Sequence, residues 1–234
     1  LENDAGNSVS SAGDVDGDGL DDILVGAYGN DYVGSNSGKA YLILGSSLGV
    51  SSTIDLANAD YVFVGEYSSD EAGVSVSSAG DVDGDGLSDI LVGAYGNDEG
   101  GNGIRYGKVY LILGASLGST STIDLSDADY SFIGDDAEGL AGGSVSSAGD
   151  VDGDGLDDLL IGAFHASAGN NQSGKAYLIL GSSLGYPQTM YLWNSYDYVF
   201  LGESSYDYAG ISVSGAGDVD GDGLDDLFIG ADGN

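Results

Sequence analysis

Four stretches of this chain carry the same run of carboxylates. The first reads Asp14-Val15-Asp16-Gly17-Asp18-Gly19-Leu20-Asp21-Asp22, with acidic side chains at positions 1, 3, 5 and 9 of a nine-residue loop. An all-oxygen, all-anionic donor set matches a hard divalent cation. Calcium takes six to eight oxygens at about 2.3–2.6 Å in flexible geometry, whereas magnesium demands a strict octahedron and keeps its waters, so the set favours calcium. The expected ligands of the first loop are the side chains of Asp14, Asp16, Asp18 and Asp22, with Asp22 bidentate, and the backbone carbonyl of Leu20. The second loop offers Asp81, Asp83, Asp85, Leu87 and Asp89, and the third Asp150, Asp152, Asp154, Leu156 and Asp158. The fourth offers Asp218, Asp220, Asp222, Leu224 and Asp226. Gly19, at position 6, suits a sharp turn with positive φ. Position 8 is Asp21 in one loop and Ser88 in another, so it is read as a non-ligand. Four carboxylates within a few ångströms repel one another unless a cation sits among them. The bland alternative, solvated acidic turns, must explain four matching loops at one phase. An EF-hand would need Glu at position 12 between helices; Val25, Val92, Ile161 and Ile229 stand there instead.

Other chemistry is thinly represented. Gly45-Ser46-Ser47-Leu48-Gly49 fits the G-x-S-x-G nucleophile pattern, as do residues 114–118 and 181–185. That elbow needs a following helix and a histidine partner. The sole histidine is His165, which stands in a loop, and a turn after a strand is the better reading. No catalysis by this chain is expected. The four basic residues are Lys39, Lys108, Lys175 and Arg105, and the lysines read as charge balance beside the acidic loops. Asn171-Gln172-Ser173 is a glycosylation sequon whose weight depends on the host. Trp193, with Tyr191, Tyr196 and Tyr198, is expected to pack rather than to form a carbohydrate platform.

The loops must be held by the elements around them. Residues 8–20 recur letter for letter at 75–87 and 144–156, and with one change at 212–224. The intervals between first aspartates are 67, 69 and 68 residues, the mark of a repeat array. Each unit carries four strand-like runs, seen first at Ser8-Val9-Ser10-Ser11-Ala12, Ile23-Leu24-Val25-Gly26-Ala27, Lys39-Ala40-Tyr41-Leu42-Ile43-Leu44 and Tyr61-Val62-Phe63-Val64. Short β-rich runs bounded by Gly, Asn, Asp and Ser are strands, and no helical period appears. Four strands per radially repeated unit make a β-propeller blade. Small residues suit an innermost strand, and an apolar run suits a second strand covered on both faces. A solenoid is the rival, with shorter repeats. The expectation is all-β, a β-propeller of four-stranded antiparallel blades in one segment spanning 1–234. Its repeats run over 1–67, 68–135, 136–203 and a partial 204–234: three blades and a half. Closed rings take about four to eight blades, so the remainder of a longer protein or other chains would complete this one, as a ring or a fibre.

Composition agrees. The 234 residues carry a net charge of −35, no Cys, one Pro and 43 Gly. Absence of cysteine removes disulfides and zinc–thiolate sites. Such charge repels nucleic acid and anionic membranes, and no apolar run approaches a span of ~18 residues. The opening Leu1-Glu2-Asn3-Asp4 does not read as a leader.

With the D-x-D-G-D-G-x-x-D loop followed by Ile23-Leu24-Val25-Gly26-Ala27, the chain resembles the FG-GAP repeat of the integrin α-subunit propeller, along nearly its whole length. Ala5-Gly6, Ala72-Gly73, Ala141-Gly142 and Ala209-Gly210 stand where the family has Phe-Gly. Gly26-Ala27-Tyr28, Gly93-Ala94-Tyr95, Gly162-Ala163-Phe164 and Gly230-Ala231-Asp232 replace Gly-Ala-Pro. Long arrays of this kind look like those of bacterial surface and secreted proteins. The resemblance implies seven blades in the ring, calcium between the first and second strands of a blade, an extracellular or cell-surface setting and an adhesive or structural role. It also implies that ligand, protein or glycan, meets the opposite face. There the loops 29–38, 96–107 and 165–174 differ between repeats and offer Tyr32, Arg105 and Tyr106. The alternatives are a self-assembling subunit and an accessory binding domain of a larger secreted enzyme.

Overall fold

The computed structural model describes residues 4–49, 52–99, 101–167, 169, 171–186 and 188–233. Leu1–Asn3 and Asn234, and Gly100, Ala168 and Asn170 of the variable loops, lie outside them. Among the described residues there are sixteen strands and no α-helix.

Repeat one contributes β1 (Ser8–Gly13), β2 (Asp22–Ala27), β3 (Lys39–Ile43) and β4 (Tyr61–Val64). Repeat two contributes β5 (Ser75–Gly80), β6 (Asp89–Ala94), β7 (Lys108–Ile112), β8 (Thr122–Asp124) and β9 (Tyr130–Ile133). Repeat three gives β10 (Ser144–Gly149), β11 (Asp158–Ala163), β12 (Lys175–Ile179), β13 (Thr189–Tyr191) and β14 (Tyr198–Leu201). β15 (Ser212–Gly217) and β16 (Asp226–Gly230) form a two-stranded sheet. Successive long strands within a repeat pair antiparallel, as β-propeller blades do.

Sequence reading missed two short strands. β8 adds in parallel to the outer edge of the first sheet, against β4, and β13 does the same to β9. The second and third blades thus each lend a strand to the edge of the one before, covering N–H and C=O groups that an edge strand leaves unpaired. A three-residue strand far from its partner in sequence carries too little pattern to be recognised alone.

Blades stack face to face through their second strands. All six residues of β6 are buried, and all six of β11. Side chains alternate along a strand, so one face of β6 (Ile90, Val92) packs with Leu24, Leu42 and Phe63 of the first blade. The other face, with Leu91, packs with Leu159 and Ile161 of the third. A continuous apolar run is therefore what a middle blade requires. Where no neighbouring blade covers the same position the side chain is bare: Val76 and Val145 are buried, whereas Val9 is 65% exposed. Phe228 on β16 is also 65% exposed.

Inner strands lie side by side and explain the repeated serine. The hydroxyls of Ser8, Ser75 and Ser144 accept the N–H groups of Val76, Val145 and Val213 in the next blade, at 3.0, 3.1 and 3.0 Å. The glycine of β6 is equally determined. A Cβ on Gly93 would stand 2.1 Å from the Gly142 carbonyl oxygen, closer than any side chain tolerates.

Candidate metal centres

Each acidic loop joins the first two strands of a blade. A β-bulge precedes it, where the pairing shifts register between Ser11 and Gly13 and at the equivalent places in the other three blades. Bulges re-aim the chain beside sites, and this one delivers the loop off the end of the sheet. The turn is then wound by its own carboxylates. Asp14 Oδ1 accepts the N–H of Gly17 at 2.8 Å and of Asp18 at 3.1 Å, and its Oδ2 accepts that of Gly19 at 2.9 Å. Asp18 Oδ1 accepts from Leu20 at 2.8 Å. The same bonds recur around Asp81, Asp150 and Asp218. Gly19, Gly86, Gly155 and Gly223 have φ between 87° and 95°, as position 6 requires.

Carboxylate oxygens converge in all four loops. Three fall within 4.8 Å of one another in each set: Asp14, Asp16 and Asp18; Asp81, Asp83 and Asp85; Asp150, Asp152 and Asp158; Asp218, Asp220 and Asp226. Positions 1 and 3 are common to every set, joined by position 5 in two loops and position 9 in the other two. Such a cluster of hard anionic oxygens fits a divalent cation of the calcium type.

Position 9 also binds backbone. Asp22 Oδ2 accepts the N–H of Val15 at 2.9 Å, and its Oδ1 that of Gly45 at 2.7 Å. Asp89 does the same with Val82 and Gly114, and Asp158 with Val151 and Gly181. These carboxylates clasp the loop to the turn after the third strand. Each oxygen keeps one further acceptor position. Burial pushes the Asp89 carboxyl up to about 7 and Asp158 to about 6, against the lowering effect of their N–H donors. Burial raises Asp22 as well.

Position 8, expected not to be a ligand, makes a contact between blades. Asp157 reaches the preceding blade, where its Oδ2 accepts the Asp81 N–H at 2.7 Å and its own N–H donates to the Asp81 carbonyl at 3.0 Å. Asp225 holds Asp150 in the same way, at 3.0 and 3.1 Å. Nothing in a nine-residue window shows a partner 75 or 76 residues away.

At the other end of the blades the lysines find their counter-ions. Lys108 Nζ lies 2.7 Å from Glu66 and 3.4 Å from Glu99, and Lys175 lies 2.9 Å from Asp135 and 2.7 Å from Asp136. Burial pulls Lys108 down, but Glu66 and Glu99 together outweigh it and hold the ammonium above its ordinary value. Lys39 instead sits over the Tyr32 ring, 3.8 Å from its centroid. The expectation of charge balance beside the acidic loops is corrected: β2 runs from the loop end to the far end, where β3 begins with the lysine. Tyr32 is exposed, Arg105 is exposed and pairs with Glu138 at 2.9 Å, and Tyr106 is half-buried. His165 is half-buried between Phe164 and Tyr208, with ring centroids 4.6 and 5.7 Å away.

The G-x-S-x-G segments are turns. Ser47, Ser116 and Ser183 sit in three-residue 3-10 turns and donate their hydroxyls to Asp60, Asp129 and Asp197 at 2.7–2.8 Å. The expected packing of Trp193 is also corrected. It is 64% exposed, and Tyr191 44%, where the preceding repeat has Asp124 and Ser126.

Comparisons with known proteins accord with this arrangement. The FG-GAP repeat model matches residues 5–43, 72–112 and 141–179, about half of the chain. Integrin alpha pat-2 of Caenorhabditis elegans is 32% identical over 234 residues, covering 95% of this chain and 17% of the nematode protein. Integrin alpha-5 of Xenopus laevis is 32% identical over 180 residues, covering 73% of this chain and 16% of its own length. Phosphatidylinositol-glycan-specific phospholipase D of Mus musculus is 30% identical over 215 residues, covering 88% of this chain and 24% of its own. The chain thus spans a quarter or less of these relatives. With blades built from the matched segments and an acidic loop at the same place in each, the chain belongs to the FG-GAP repeat family, of the integrin α β-propeller type.

Proposed function

We propose that this chain is a calcium-loaded propeller segment of an extracellular or cell-surface protein, with an adhesive or structural role and no catalysis of its own. The supporting observation is the convergence of three carboxylates in each of four loops placed alike in their blades. The ligand set is the one read from the spacing, positions 1, 3, 5 and 9 with the position-7 carbonyl. A bound cation supplies the positive charge that offsets repulsion within each loop. The chain's own residues do the rest: Asp14 winds the turn, Asp22 ties it to Gly45, and the bulge aims it off the sheet. Extracellular modules work at calcium dissociation constants of about 10⁻⁴–10⁻³ M, which suits loops this exposed.

Ligand, a protein or a glycan, is placed on the face away from the acidic loops, where the loops carrying Tyr32, Arg105 and Tyr106 vary between otherwise matching repeats. Variable loops on a rigid scaffold are where recognition resides. Similarity to a phospholipase favours a second reading, an accessory domain beside a catalytic one. The test of the main proposal is calorimetric titration with calcium, followed by thermal melts in millimolar calcium and in chelator. Four sites and a large fall in midpoint on chelation are expected. An unchanged melt and no heat of binding would refute it. Light scattering in both conditions separates a lone segment from copies that complete one another. Assay of the chain alone against phosphodiester substrates should give no turnover.

A further inference from the structure

We infer that Asp157 and Asp225 are positioning residues that couple consecutive cation loops, each setting the first ligand of the loop in the blade before it. This rests on the cation-binding reading above. Asp81 opens the second loop, and both of its backbone polar groups are held by one residue of the next blade. Its N–H donates to Asp157 Oδ2 at 2.7 Å, and its carbonyl accepts the Asp157 N–H at 3.0 Å. Asp150 is held likewise by Asp225.

The approach is built in rather than incidental. A Cβ on Gly80 would stand 2.1 Å from Asp157 Oδ2, and one on Gly149 2.0 Å from Asp225 Oδ2. Only glycine, at φ 77° and 76°, leaves room for the carboxylate. The Leu156 and Leu224 side chains reach back to within 3.0 Å of the Cβ positions of Gly84 and Gly153, so each loop rests on the next. Asp157 adjoins Asp158, the position-9 ligand of its own loop. A change at that loop therefore moves the residue that orients Asp81, and Asp157 also brings a negative charge to the preceding loop.

The first junction is a natural control. Ser88 keeps the backbone half of the contact, its N–H donating to the Asp14 carbonyl at 2.9 Å. Among the described residues no side-chain bond joins Ser88 to Asp14, and the position carries no charge. The Leu87 side chain still reaches to within 3.1 Å of the Gly17 Cβ position, so the loop at Asp14 lacks only the carboxylate part of the coupling, and it should fill at higher calcium than the loop at Asp81.

Site-resolved hydrogen exchange of the loop amides, followed across a calcium titration of the full chain, tests this. Asp157→Ser copies the first junction, and it should raise the calcium midpoint of the Asp81–Asp89 loop about tenfold, the worth of one charge-assisted hydrogen bond. The Asp14–Asp22 loop should be unmoved. Ser88→Asp, which adds a contact instead of removing one, should lower the midpoint of the Asp14–Asp22 loop several-fold. Neighbouring loops that keep their midpoints within twofold in both variants overturn the coupling while leaving cation binding intact. Loops of the unsubstituted chain that gain no protection with calcium overturn the cation reading itself, and the coupling with it.

Discussion

Asp89→Asn should change the sign of its effect with calcium. Asp89 is fully buried, with Oδ1 accepting from Gly114 at 2.8 Å and Oδ2 from Val82 at 2.9 Å. Asparagine keeps one acceptor and turns an NH₂ group toward the other donor. That leaves one buried N–H unsatisfied, at about 1–3 kcal/mol. Against this stands the cost of the buried charge. Burial raises the Asp89 carboxyl from 3.8 to about 7, so its stabilising protonation is complete below about 4 and lost as pH rises through 7. At pH 8 without calcium the ionised form is penalised by about 4 kcal/mol, at 1.36 kcal/mol per pH unit. The neutral amide avoids that penalty, so in chelator at pH 8 the variant should be more stable by about 1–3 kcal/mol. On the proposed ligand set, calcium matches the charge, and the variant loses both a hydrogen bond and a ligand. Weakened occupancy forfeits up to about 2.7 kcal/mol when free calcium is 100 times Kd, for a total loss of about 4 kcal/mol or more. Urea denaturation at pH 8, with and without chelator, reads both numbers. Equal losses in the two conditions would refute the reasoning, leaving Asp89 as a backbone clasp with no part in cation binding.

Three further outcomes are expected. In chelator, stability should fall as pH rises from about 4 to 7, because burial raises Asp70 to about 6 along with Asp89 and Asp158; calcium should remove the part due to Asp89 and Asp158 and leave that of Asp70, and a melting temperature flat with pH in chelator would contradict this. Gly93→Ala drives a methyl against the Gly142 carbonyl, and it should cost about 3 kcal/mol or more in chemical denaturation; a loss below about 1 kcal/mol would show that the blades can part freely. Ser116→Ala removes the bond to Asp129 at 2.7 Å, and it should cost about 1 kcal/mol with calcium uptake unchanged; loss of a hydrolytic activity would revive the nucleophile reading.

What lies close along the chain was legible in the sequence. The four acidic loops, the positive-φ glycines within them and the order of strands around them follow from spacing alone, because a nine-residue loop closes on itself and a strand shows its pattern in five residues. The two-sided apolar runs of β6 and β11 announced their burial between neighbours. Tertiary structure decided what depends on distant partners. It assigned Asp157 to the backbone of Asp81, the Lys108 ammonium to Glu66, and the three residues of β8 to the edge of β4. It left Trp193 in solvent, although its composition promised packing. The physical reason is the same in each case: a hydrogen bond or ion pair across a blade junction joins residues tens of positions apart, and no local period records which surface the next repeat will bring against it.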